Sequence, residues 1–146
     1  MSALEANLLS FTWWVYTADN TNERGDLWND EDFSLFSRDQ MSGSGSIHDG
    51  GRALRAAVRP YPMRTAGQPL SLSFDMRSRR FEFTYRGDNS VDAPTEIFIP
   101  GYQYPNGCTV TVSDGSYELD PGAQLLRWRH APGEAIHRVV VTPREG

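Results

Sequence analysis

Gly67-Gln-Pro-Leu-Ser-Leu-Ser-Phe-Asp75 and, after a four-residue gap, Arg80-Phe-Glu-Phe-Thr-Tyr85 decide the fold of this chain. Leu70, Leu72 and Phe74 alternate with Ser71 and Ser73, and Phe81, Phe83 and Tyr85 alternate with Arg80, Glu82 and Thr84. A period of two puts the apolar side chains on one face and the polar ones on the other, which is how a half-buried strand is written. Arg77, Arg79 and Arg80 flank the tight turn between the runs and read as a solvated edge that discourages further strand pairing. The sequence spells a hairpin here.

The same writing continues downstream. Residues 95–99, 108–112, 117–119, 125–128 and 136–141 are further short strand candidates. Between or beside them stand Asn106-Gly107, Asp114-Gly115, Asp120-Pro121-Gly122 and Pro132-Gly133, residues that turn a chain by positive φ, fixed φ or local side-chain hydrogen bonds. Six or seven strands with one polar face predict a small antiparallel β-sandwich over residues 63–146. Cys108 alternates with Val110 and Val112 and reads as a core residue.

Upstream of Pro60 the pattern changes. Residues 8–16 read as a strand buried on both faces, with Leu9, Phe11, Trp13 and Val15 on one side and Leu8, Ser10, Thr12, Trp14 and Tyr16 on the other. Residues 17–48 lack periodicity; from Asp19 to Asp39 they hold seven carboxylates against two arginines, with Trp28, Phe33, Leu35 and Phe36 interspersed. So long a loop in a compact domain is often functional. Within it, Ser42-Gly-Ser-Gly-Ser46 reads as a flexible tip. Asp49 is placed to cap a helix that starts near Gly50 and stops at Pro60. Residues 1–62 therefore spell one strand, one loop and one helix, a single βα unit.

Composition narrows the function classes. The 146 residues are 38 % apolar and 23 % charged, a globular balance, and the net charge of −5 argues against binding through phosphate neutralisation, so no nucleic-acid partner is expected. Every basic residue is arginine, which excludes lysine-based nucleophiles and nucleotide-loop lysines. A lone Cys108 and the scattered His48, His130 and His137 predict no disulfide and no metal site, and no cofactor is expected. The longest apolar run is far short of about 20 residues, so no transmembrane segment is expected. Without a signal-peptide pattern, the expected location is cytoplasmic or peripheral to membranes.

The stretch Phe11-Thr-Trp-Trp-Val-Tyr-Thr-Ala-Asp-Asn-Thr-Asn22, followed by Gly25-Asp-Leu-Trp-Asn-Asp-Glu-Asp-Phe-Ser34, resembles the last barrel strand and following loop of family-five glycoside hydrolases. Its likeness is to the endoglycoceramidase-like branch, with the fungal glucosylceramide and steryl glucoside β-glucosidases. Gly51-Arg-Ala-Leu-Arg-Ala-Ala-Val-Arg-Pro-Tyr-Pro62 is similar to that family's final barrel helix, and residues 67–75, 80–85 and 94–100 resemble its C-terminal sandwich.

The resemblance implies a mainly β chain: the last βα unit of a truncated (β/α)₈ catalytic barrel over residues 1–62 and a C-terminal β-sandwich domain over 63–146. A full barrel takes about 250 residues, so only its last eighth fits here. The implied activity is retaining hydrolysis of glycolipid β-glycosides by two glutamates that would lie before Met1, leaving no catalytic residue in this chain. Glu5 stands at the N-terminal approach of the expected strand, the wrong end for barrel chemistry. By resemblance Trp14 is the sugar-stacking tryptophan at the end of strand eight, with Asn20 and Asn22 available for sugar hydroxyls and Trp28 for sugar or lipid. Val15 stands where the family pattern has a polar residue. The alternative is a self-standing sandwich module that binds lipid, sugar or protein. Uncovered barrel residues Leu9, Phe11, Trp13, Leu54 and Val58 further predict self-association.

Overall fold

The alternation from residue 67 onward is matched by the backbone. The computed structural model describes residues 1–145. Its strands are β1 (Tyr61–Arg64), β2 (Gly67–Asp75), β3 (Arg80–Gly87), β4 (Thr95–Phe98), β5 (Cys108–Val112), β6 (Ser116–Asp120), β7 (Leu125–Arg129) and β8 (Ile136–Pro143). They form two four-stranded antiparallel sheets, ordered β1-β4-β7-β6 and β2-β3-β8-β5. Each strand expected from residue 67 onward is present, and β1 is an addition. Its Pro62 concealed it, because proline cannot donate to a ladder. Pro62 in β1 and Pro69 in β2 lie on edge strands, and in each case the register shifts just beyond the proline; Pro143 is the last residue of β8.

The core lies between the sheets. Phe74, Phe81, Phe83, Tyr85, Val139, Val141, Cys108 and Val110 come from one sheet, and meet Ile97, Leu126 and Trp128 from the other. Each large side chain removed from water here contributes roughly 1.5–3 kcal/mol, so the sandwich rests on this alternation. Cys108 is buried among these residues, as its strand position predicts. The arginine turn is more engaged than a solvated edge. Asp75 accepts hydrogen bonds from the Arg77 and Ser78 amides at 3.1 and 2.7 Å, Arg79 donates to the Gln103 carbonyl, and Arg80 and Arg138 flank Glu82.

The chain divides into two compact units at other points than residue 62. Met1–Ser10 belongs with the chain from Val58 onward, and Phe11–Ala57 forms the second unit. The first ten residues carry an unforeseen helix, α1 (Ser2–Ala6), which packs on β2. The strand expected over residues 8–16 is absent. Leu8 takes a left-handed φ of 53°, and no ladder runs along the segment. A strand buried on both faces needs a hydrogen-bonded neighbour at its edges, and no strand among the described residues pairs with it.

The helix expected from Gly50 shrinks to one turn, α2 (Leu54–Ala57). Asp49 does not cap it. Its carboxylate instead gathers the Ser42 amide and hydroxyl and the Ser44 amide, at 2.7, 2.9 and 3.1 Å, so the serine–glycine tip is pinned. The Ser42 amide is the largest of the influences that hold the Asp49 carboxyl below its ordinary pKa.

Candidate functional site

The site residues read from the sequence all fall in the unit Phe11–Ala57. With little regular structure there, polar contacts set its shape. The Leu35 amide donates to the Val15 carbonyl at 2.9 Å, and the Arg52 amide donates to the Leu35 carbonyl at 2.7 Å. The Thr17 amide donates to the Ser34 hydroxyl at 3.0 Å. These bonds fasten the chain just after Trp14 to its loop. Trp14 itself is 65 % exposed, with an indole face open to a flat apolar partner. The peptide joining Trp14 to Val15 is cis.

Asn20 requires a correction. It is fully buried, and its amide nitrogen donates to Asp26 and to Asp32, both at 2.9 Å. Its amide oxygen accepts from Arg52 at 3.3 Å. A fully buried amide with both donors engaged presents nothing to a sugar hydroxyl. Asn20 is a framework residue.

Around it the acidic loop is built. Asp26 accepts from the Phe33 and Ser34 amides at 2.8 and 3.1 Å, and Arg52 grips Asp32 with both terminal nitrogens. Arg52 is the largest influence holding the Asp32 carboxyl below its ordinary pKa, followed by Asn20. This network braces residues 25–33, where Leu27, Asn29 and Asp30 all have positive φ. From that braced loop Trp28 projects, 62 % exposed. Asn22 is also exposed; its backbone amide donates to Asp39 at 2.5 Å, and its side-chain oxygen lies 3.4 Å from the Ser37 hydroxyl. Trp14, Asn22 and Trp28 therefore face solvent, and Asn20 does not.

Could the chain's own carboxylates do glycosidase chemistry? Retaining hydrolysis needs two carboxyls about 5 Å apart, one of them able to hold a proton near neutrality. Asp26 and Asp32 share the Asn20 amide and are therefore neighbours, but Asp32 is tied to Arg52 and tuned toward staying ionised. Glu5 is buried in an ion pair with Arg59, 2.5 Å from both Nε and Nη2. Neither arrangement offers a proton to a leaving group. No group of three or more metal-ligating side chains gathers among the described residues.

Sequence reasoning missed Asp26, Asp32 and Arg52 as a unit. The available signal was one arginine, Arg52, following a loop with a large carboxylate excess. It missed the Glu5–Arg59 pair because α1 itself was not foreseen.

Comparison with known proteins places this geometry. Residues 59–141 match the glycoside hydrolase family 5 C-terminal domain. A glucosylceramidase of Rhizopus delemar is 39 % identical over 152 residues, covering 94 % of this chain and 22 % of that protein. An ergosteryl-beta-glucosidase of Saccharomyces cerevisiae is 27 % identical over 187 residues, covering 90 % of this chain and 24 % of that protein. The crystal structure of Cryptococcus neoformans sterylglucosidase 1 superposes with a TM-score of 0.86 at 35 % identity, over 99 % of this chain and 23 % of that one. The chain thus spans less than a quarter of the length of these relatives. It belongs to the glycoside hydrolase family 5 C-terminal domain family.

Proposed function

We propose that this chain is the C-terminal part of a retaining β-glycosidase acting on glycolipids of the glucosylceramide or steryl glucoside class, and that residues 1–146 alone do not hydrolyse them. The observation that carries the reading is the superposition on sterylglucosidase 1, which takes in nearly the whole chain and under a quarter of that structure. Residues 1–62 contribute the closing βα portion of the catalytic barrel, and residues 63–146 are the C-terminal sandwich domain. Asp32 and Glu5 are committed to arginines and Asp26 to the Asn20 side chain and two loop amides, which supports a catalytic pair supplied from outside this segment.

In the whole enzyme Trp14 forms the floor of the sugar subsite beside the cleaved bond, stacking on the apolar face of the ring. Asn22 and Trp28 line the mouth of the cleft, toward sugar hydroxyls and lipid. Trp14 leads this set because it combines an open indole face with a backbone fastened just behind it. The test is Trp14→Ala in a polypeptide that carries this segment together with the whole barrel. Loss of a stacked aromatic is expected to lower kcat/KM on a glucosylceramide or steryl glucoside roughly 100-fold, with an unchanged melting curve. A well-folded variant with near-normal kcat/KM would remove Trp14 from the subsite.

A further inference from the structure

At one end of the sandwich the chain passes between the sheets through residues 88–94, 113–115 and 130–135. Two histidines meet there. His130 follows β7 of one sheet and His137 lies in β8 of the other. Their rings stack with centroids 4.2 Å apart and planes tilted by 32°. Tyr85 and Trp128, one from each sheet, pack against His137 with centroids at 5.2 and 6.0 Å.

One hydrogen bond places a hydrogen on the inner ring. His137 is fully buried, and its Nδ1 lies 2.8 Å from Asp114 Oδ2. An ionised carboxylate only accepts, so Nδ1 carries a hydrogen. The His137 Nε2 is buried without a hydrogen-bond partner. Burial alone would raise the Asp114 carboxyl, but hydrogen bonds from the Ser113 hydroxyl, the Ala131 amide and His137 hold it below its ordinary pKa. His130 Nδ1 lies 3.0 Å from the Tyr85 hydroxyl. Both Nε2 atoms crowd Gly87, where an added Cβ would lie 2.5 Å from that of His137 and 3.0 Å from that of His130.

The charges around the pair are few. From the β5–β6 connection comes Asp114, from β3 the Tyr85 hydroxyl, and from β7 the uncharged Trp128. Arg129, beside His130, turns its guanidinium to the Asp92 carbonyl at 2.5 Å, with the Asp92 carboxylate 3.8 Å away. Asp88 is occupied by the Ser90 amide and hydroxyl. One carboxylate, Asp114, is hydrogen-bonded to His137 and acts on His130 through its charge.

We propose that the His130–His137 pair is an acid-sensitive latch between the two sheets, closed while at most one ring is protonated and driven open by the second proton. Whichever ring takes the first proton, Asp114 balances it. The second charge sits one ring-stacking distance from the first, partly buried and without a counter-ion, so the rings separate to reach water. Opening admits water to Tyr85 and Trp128. The direction of titration agrees, since burial and then the neighbouring His137 push His130 below its ordinary pKa.

Thermal melts of the 146-residue chain between pH 7.5 and 5.0 test this, comparing it with His130→Gln. A glutamine keeps an acceptor for the Tyr85 hydroxyl and cannot be protonated. The unaltered chain is expected to lose about 5 °C or more in Tm across that range, and the variant less than half as much. The third histidine, His48, is common to both proteins and cancels. Should the variant fold poorly, imidazole C2-proton titration of the unaltered chain decides the matter by NMR. The latch requires the two rings to titrate in separate steps, one displaced to acid pH. Parallel melting slopes in two folded proteins, or both rings titrating together at the value of a free histidine, would overturn it.

Discussion

Glu5 and Arg59, 54 residues apart, face each other in a two-point ion pair that ties helix α1 to the sandwich. Both are almost wholly buried, at 7 % and 4 % exposure. Arg59 Nη2 also donates to the Phe74 carbonyl at 3.0 Å, and its guanidinium lies 4.9 Å from the centre of the Phe74 ring. Nη1 is buried without a hydrogen-bond partner. Removing one member of such a pair leaves an uncompensated buried charge. Glu5→Gln is therefore expected to lower unfolding free energy by about 3–5 kcal/mol in urea titrations. The double variant Glu5→Leu/Arg59→Met should recover much of that loss. A Glu5→Gln chain as stable as its parent would show that the pair does not hold α1.

The acidic loop depends on Asn20 in the same way. Asn20→Ala withdraws one donor from Asp26, which keeps the Phe33 and Ser34 amides, and one from Asp32. A loss of about 1–3 kcal/mol is expected, confined to the segment Phe11–Ala57. Limited proteolysis should then cut residues 23–33 faster while leaving the sandwich intact. Unchanged cleavage would mean that Asp26 and Arg52 alone hold the loop.

How far the sequence carries can be judged from these residues. The sandwich was legible because period-two alternation and turn residues are local signals, and tertiary packing agreed with both. Residues 8–16 misled for a physical reason. Their composition describes a doubly covered strand, but strand formation needs ladder partners that composition cannot supply. Trp14 was read as an aromatic at the end of a strand that the structure lacks, and Asn20 gave no sign that its amide would be used up internally. Polar side chains separated by many residues, such as Asn20 and Arg52, pair only in three dimensions.

Acid should act on the sandwich through carboxylates as well as histidines, in a lower range. The Glu82 carboxyl is held below its ordinary value, chiefly by Arg138 and against the effect of burial. Asp114 is lowered as well. With folded pKa values depressed, the unfolded chain binds more protons, so this stability is present above the unfolded pKa and lost as pH falls through the folded one. Denaturant midpoints should decline a second time below about pH 4. Glu82→Gln should shrink that limb and leave the decline between pH 7.5 and 5.0 untouched.

Leu9, Phe11 and Trp13 are exposed apolar side chains close together in sequence, and Phe11 and Trp13 meet edge to face at 6.1 Å. Self-association of the 146-residue chain is the expected consequence. Sedimentation should show mass rising with concentration, and Phe11→Ser/Trp13→Ser should suppress the rise. A chain that stays monomeric at every concentration would contradict this.

The central claim is that these residues complete a glycosidase without containing its catalytic pair. Purified 146-residue chain should be incubated with an aryl β-glucoside at a concentration where a family-five hydrolase of ordinary turnover is easily detected. The expected result is hydrolysis no faster than in buffer. Hydrolysis above that level, abolished by replacing a single Asp or Glu of this chain, would contradict the claim.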